Sequence, residues 1–104
     1  MENRLMPRTA LSDAEVTEKL TTLNGWTYDG SAISKTIEVE TYLTGVALAS
    51  AVGVLCEGMD HHPDLYIGWR RVRISFSTHD AGDKVTERDI AAARAVDGLG
   101  YPRQ

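Results

Sequence analysis

The chain has 104 residues, 42% of them hydrophobic and 25% charged, with a formal net charge of −4. That is enough for one domain around one core, and the ordinary globular composition excludes wholesale disorder and fibrous architectures. The acidic balance gives no electrostatic basis for direct nucleic-acid binding, and the short basic run Arg70, Arg71, Arg73 reads as the solvated side of a strand. Cys56, the single cysteine, precludes an intrachain disulfide and points to a reducing compartment. Within its apolar stretch it reads as a small buried thiol rather than a nucleophile. Met1 to Arg8 contain no long apolar run and nothing elsewhere reaches the length of a bilayer span, so no membrane association and a cytoplasmic location are expected.

Residues 1–10 are expected to form a flexible N-terminus and residues 11–104 a single domain. Ser12-Asp13-Ala14-Glu15 is a capping box, flanked by Leu11 and Val16 as a hydrophobic staple. Val16, Leu20 and Leu23 recur at helical spacing, predicting a helix from Ser12 to Leu23 that Asn24-Gly25 closes. Trp26 to Asp29 and Ile33 to Glu40 alternate as two strands of a hairpin. From Thr41 to Met59 the pattern is helical again, with Leu48, Val52, Leu55 and Met59 on one stripe and Leu43 and Ala47 widening it. Pro63 stops that helix. Leu65, Ile67 and Trp69, then Val72, Ile74 and Phe76, mark a second pair of strands. Thr86 with Asp89 opens a last helix that carries Ile90, Ala93, Val96 and Leu99 and ends near Gly98 to Gly100. The order α-β-β-α-β-β-α predicts a two-layer α+β fold, a four-stranded antiparallel sheet with three helices on one face. Its other face remains partly open, which favours self-association.

All three histidines, His61, His62 and His79, fall at the two ends of the second hairpin. With the turn at Gly68 to Arg71, pairing centred on residue 70 sets His61 opposite His79. His62 alternates to the other face, although Pro63 marks a strand start where twist can return it. Imidazole both gives and takes a proton near neutrality, so two facing one pocket suit a reaction that adds one proton and removes another. The plainer alternative is hydrogen-bonded loop histidines without chemistry. Asp60, Asp64 and Asp80 supply further potential metal ligands, but adjacent histidines on an extended segment point apart and no metal-binding motif is present, so no metal is expected. A serine-nucleophile elbow and a glycine-rich phosphate loop are also missing.

The run Glu57-Gly58-Met59-Asp60-His61-His62-Pro63, then Trp69, Thr78-His79-Asp80 and Thr86-Glu87-Arg88-Asp89, resembles the signature of the pterin-4a-carbinolamine dehydratases, also called dimerisation cofactors of a homeodomain transcription factor. Gly25-Trp26 matches the family's early tryptophan, and the likeness covers about residues 10–100. The resemblance implies dehydration of 4a-hydroxytetrahydropterin to quinonoid dihydropterin in tetrahydropterin recycling, with no cofactor. It implies His61 and His79 as the acid/base pair, His62 at the substrate's 4a-hydroxyl region and Asp89 in support. Asp89 reads equally well as a helix-capping residue. Trp26, as a pocket wall or plain core, and Glu57, Asp60, Ser77 and Thr78 are the implied substrate-binding residues. The family's habit also implies a homodimer or homotetramer. Two departures stand out: Leu65 replaces an aromatic after the His-His-Pro triplet, and the connection Ala81 to Val85 is one residue longer than the family's usual form. A dimeric binding scaffold or transcriptional coactivator without turnover is the alternative, which retention of three histidines in register disfavours.

Overall fold

The computed structural model describes residues 7–101, so the expected flexible N-terminus lies mostly outside the described residues. Helix α1 spans Asp13–Leu20 and begins at the expected capping box: Ser12 Oγ accepts from the Glu15 amide at 3.1 Å, while the Glu15 carboxylate accepts from the Ser12 amide at 2.8 Å. It ends short of Leu23 because the Thr21 and Thr22 hydroxyls donate back to the carbonyls of Glu18 and Lys19. Such local bonds compete with continued helix. Gly25, at φ 84°, then turns the chain into the sheet.

Strand β1 is only Thr27–Tyr28 and pairs with β2, Ile33–Glu38. The Asp29 carboxylate accepts from the amides of Ser31 and Ala32, an Asx-type turn that closes this hairpin. The Thr41 side chain caps helix α2, Tyr42–Met59. Gly45 lets α2 approach the sheet closely, since a Cβ there would stand 3.4 Å from methyl groups of both Val39 and Val72. Strands β3, Asp64–Gly68, and β4, Arg71–Phe76, form the second hairpin, and α3 runs over Glu87–Asp97.

The sheet is antiparallel throughout, in the order β1-β2-β4-β3. The expected α+β architecture and element order are therefore present. Alternation along β4 sends Val72, Ile74 and Phe76 to the helical side, where they meet Ile33 and Ile37 of β2, Val52 of α2 and Val96 of α3 in one core. On the open side, Ser34, Ser75 and Arg73 are linked by hydrogen bonds of 3.0 and 3.2 Å.

Two local expectations change. Leu43 and Ala47 do not widen the buried stripe of α2; together with Val54 they are exposed, while Leu48, Val52, Cys56 and Met59 face the core. This second apolar surface makes α2 long and apolar enough, at 18 residues and mean hydropathy 1.5, to meet the length and composition of a bilayer span, contrary to the expectation that nothing does. Its packing against the sheet accounts for the buried part of that hydropathy. The exposed part sits beside β3, whose Leu65, Tyr66 and Ile67 are also exposed.

Candidate active site

The site forms where α2 ends, β4 ends and α3 begins. Asp60, the C-cap of α2, adopts a left-handed conformation at φ 54° and turns the chain so that His61 points into the protein. The amide of His61 still bonds the Cys56 carbonyl, tying that turn to the helix. After Phe76, β4 gives way to Ser77 and Thr78, and a short 3-10 turn over His79–Ala81 follows. The Thr86 capping box opens α3 and places Asp89 as its third residue.

The second hairpin is centred one half-step earlier than expected. Gly68 pairs with Arg71, so Trp69 and Arg70 form a two-residue turn with Arg70 at φ 66°. Continued in that register, residue 61 would stand opposite Thr78 rather than His79, and the ladder itself stops at Asp64 and Ser75. Thr78 is accordingly the residue that shares a buried hydrogen-bond network with His61.

That network centres on Asp89, which is 0% exposed. One carboxylate oxygen lies 2.6 Å from His61 Nε2. The other accepts from the Thr78 hydroxyl at 2.7 Å and from the Thr86 amide at 2.9 Å. Asp89 is thus both cap and histidine anchor, and the two readings of its role in sequence are not exclusive. The connection before it turns through two successive left-handed residues, Gly82 at φ 73° and Asp83 at φ 59°. Asp83 in turn reaches back, its carboxylate 3.1 Å from His79 Nδ1. His62 Nε2 lies 2.8 Å from Glu57.

Each histidine therefore has its own carboxylate, but their surroundings differ. His61 is buried, with Phe76 stacked at a centroid distance of 6.0 Å and an interplanar angle of 12°. His62 and His79 are exposed, the His79 side chain at 91%. Among the described residues, a carboxylate holding Nε2 leaves Nδ1 of His61 as its ring nitrogen without a protein partner, and in His79 it is Nε2 that is left. All three histidines line one cavity of about 320 Å³, together with Asp60, Ser77 and Thr78. That volume lies at the lower end for small-molecule sites.

Two expected residues stand outside this lining. Glu57 is exposed and meets the site only through His62. Trp26 is a buried core residue, packed against Phe76 at 5.8 Å, with its indole N–H 3.1 Å from both oxygens of the Asp97 carboxylate. Phe76 separates it from His61, so it backs the site instead of walling the cavity. Conversely, Arg88, which the sequence offers only within the Thr86 to Asp89 run and without a site role, lines the cavity. An arginine in the first turn of a helix is ordinarily solvated, so only a view of the packing distinguishes it.

Cys56 is fully buried one turn before the site, and burial pushes its thiol up to about 11. At neutral pH it is a protonated packing residue. Among the described residues, no group of three or more His, Cys, Asp and Glu side chains is arranged to hold a metal ion. Asp60, for example, is turned to the cavity while Asp89 is enclosed behind His61.

Comparison with known proteins places this geometry. The family model described as pterin 4 alpha carbinolamine dehydratase matches residues 9–99. A protein of Roseiflexus sp. (strain RS-1) named for that dehydratase is 43% identical over 91 residues, covering 88% of this chain and 97% of the relative. A namesake from Natronomonas pharaonis is 45% identical over 89 residues, covering 86% and 94%. Among solved structures, a transcriptional coactivator/pterin dehydratase from Brucella melitensis superposes with a TM-score of 0.78 at 30% identity, covering 88% of this chain and 98% of that one. The family match spans every helix and strand of the fold, and the chain belongs to the pterin-4-alpha-carbinolamine dehydratase family.

Proposed function

We propose that the protein dehydrates 4a-hydroxytetrahydropterin to quinonoid dihydropterin in tetrahydropterin recycling, by general acid/base catalysis from its histidines. The observation that carries this reading is the convergence of three histidines on one cavity, each held by its own carboxylate. The reaction breaks the C4a–O bond, delivers a proton to the departing hydroxide and removes the N5 proton as the N5–C4a double bond forms. Water is the only other product. No electrons are exchanged, so the atoms balance without a cofactor.

His61 and His79 are the acid/base pair in this reading. The buried Asp89 carboxylate, 2.6 Å from Nε2, holds the His61 ring in one orientation, which suits a group that must take up and return a proton at a fixed place. His79 offers a solvent-connected imidazole in the lining of the same cavity. His62, steadied by Glu57, holds the 4a-hydroxyl region, while Asp60, Ser77 and Thr78 supply polar contacts to the flat ring. Trp26 contributes by supporting Phe76 beneath His61. A cytoplasmic setting accords with this chemistry and with the reduced Cys56.

We further propose that the protein acts as a homodimer or homotetramer. One side of β3 has no neighbouring strand, and its side chains from Asp64 to Ile67 are exposed beside Val54 of α2. An unpaired edge of this kind is a template for a second copy. The second reading is a scaffold or coactivator without turnover; the name of the Brucella melitensis neighbour, a transcriptional coactivator/pterin dehydratase, supports its coactivator part alone.

The deciding experiment follows quinonoid dihydropterin formation from freshly generated 4a-hydroxytetrahydropterin. Wild type should accelerate it, and His61→Ala and His79→Ala should each lose about 10² to 10⁴-fold of that acceleration. A folded wild type without acceleration overturns the enzyme reading in favour of the scaffold.

A further inference from the structure

Arg88 is the one cationic side chain buried in the wall of the cavity, only 3% exposed. Its position is unfavourable on two counts. A cation in the first turn of α3 faces the positive end of the helix dipole, and a buried charge without an anion carries a desolvation penalty that no ion pair offsets. Among the described residues it makes no ion pair. The neighbouring Asp89 carboxylate is already occupied by His61, Thr78 and Thr86.

Its guanidinium is correspondingly under-used. Nη2 donates to the Asp60 carbonyl over a long 3.4 Å, and Nε, enclosed by protein, finds no acceptor. The other basic residue of the cavity, Arg8, is largely exposed and paired with Asp80 at 3.2 Å. The enclosed Nε of Arg88 is out of a ligand's reach, but Nη1 also has no hydrogen-bond partner among the described residues and is not enclosed, and a cavity-wall arginine with such a donor fits an oxygen acceptor on the ligand.

We infer that Arg88 is a specificity-determining residue that donates to the ring carbonyl oxygen of the bound heterocycle, selecting 4-oxo pteridines over 4-amino ones. The inference rests on the pterin reading and deepens it. A carbonyl at that ring position accepts from the guanidinium, whereas an amino group turns a donor towards a donor. Sites built around a buried hydrogen-bonding group reject analogues that cannot complete the bond. The same guanidinium steadies the Asp60 carbonyl next to His61, so a purely structural role has to be separated from recognition.

The separation comes from comparing two stable ligands, pterin and 2,4-diaminopteridine, near neutral pH by calorimetry with wild type, Arg88→Met and Arg88→Lys. Wild type should bind pterin about 10 to 100-fold more tightly than the diamino ring, the range expected for a hydrogen bond to a charged group. Arg88→Met should lose that preference, and Arg88→Lys should retain part of it. An equal loss of affinity for both ligands, leaving their ratio unchanged, would overturn recognition and leave Arg88 a support for the Asp60 turn. Equal binding of both rings by wild type overturns the inference without any variant, while the pterin reading survives. If wild type binds neither ring and accelerates no dehydration, it is the pterin reading that fails.

Discussion

Asp89 links local and long-range structure through one side chain. Its carboxylate closes the α3 capping box three residues away and holds His61 across 28 residues of sequence, so the same negative charge serves the helix and the imidazole. Asp89→Asn retains the size and one acceptor but replaces with an amide the carboxylate that anchors His61 Nε2, Thr78 and the Thr86 amide together. In the dehydration assay its kcat should fall about 10² to 10³-fold with a smaller change in KM, because the loss belongs to proton transfer rather than to ligand contact. A proportionate rise in KM at constant kcat would instead assign Asp89 to binding. Trp26 marks the limit of residue-level reading: its burial was foreseeable, but the interposed Phe76 that separates it from His61 was not.

At the scale of elements, the ends of the helices matter more than their middles. Helix α1 is short and its capping box is exposed, yet the Ser12 backbone and hydroxyl bonds hold the Glu15 carboxyl below the usual carboxylate range. A carboxyl depressed on folding stabilises the folded state above its ordinary value, and that contribution disappears as pH falls through the lower folded value. Ser12→Ala should therefore lower Tm at neutral pH, and the difference from wild type should narrow under acid conditions. Thermal melts followed by circular dichroism across pH measure this; a gap that stays constant through the carboxylate range would detach Glu15 from the cap. The loop from Ala81 to Val85 illustrates the converse, an irregular element that leaves its neighbours undisturbed. Gly82 and Asp83 take the left-handed conformations, and Asp89 reaches His61 from the helix that follows.

For the whole molecule, the exposed apolar surface along α2 and β3 is the feature that a single copy leaves uncovered. Val54 is 75% exposed, so Val54→Lys should change monomer stability by no more than about 0.5 kcal/mol. In sedimentation equilibrium, wild type should be dimeric or larger, and Val54→Lys should shift towards monomer with a Tm near that of wild type. Unchanged association in the variant would move the interface away from this surface. What the amino-acid sequence determined by itself was the element order, the fold class and two capping boxes, because periodicity and caps depend on residues a few positions apart. The clustering of the histidines was legible for the same reason, as all three flank one hairpin. Tertiary structure alone decided which residue faces His61, since the left-handed Arg70 sets the turn and moves the register from His79 to Thr78. It also decided that Arg88 is buried with donors to spare, and that Leu43 and Val54 stay outside the core. Those outcomes depend on how α2 and α3 settle against the sheet, and packing between elements distant in sequence leaves little trace in a local pattern.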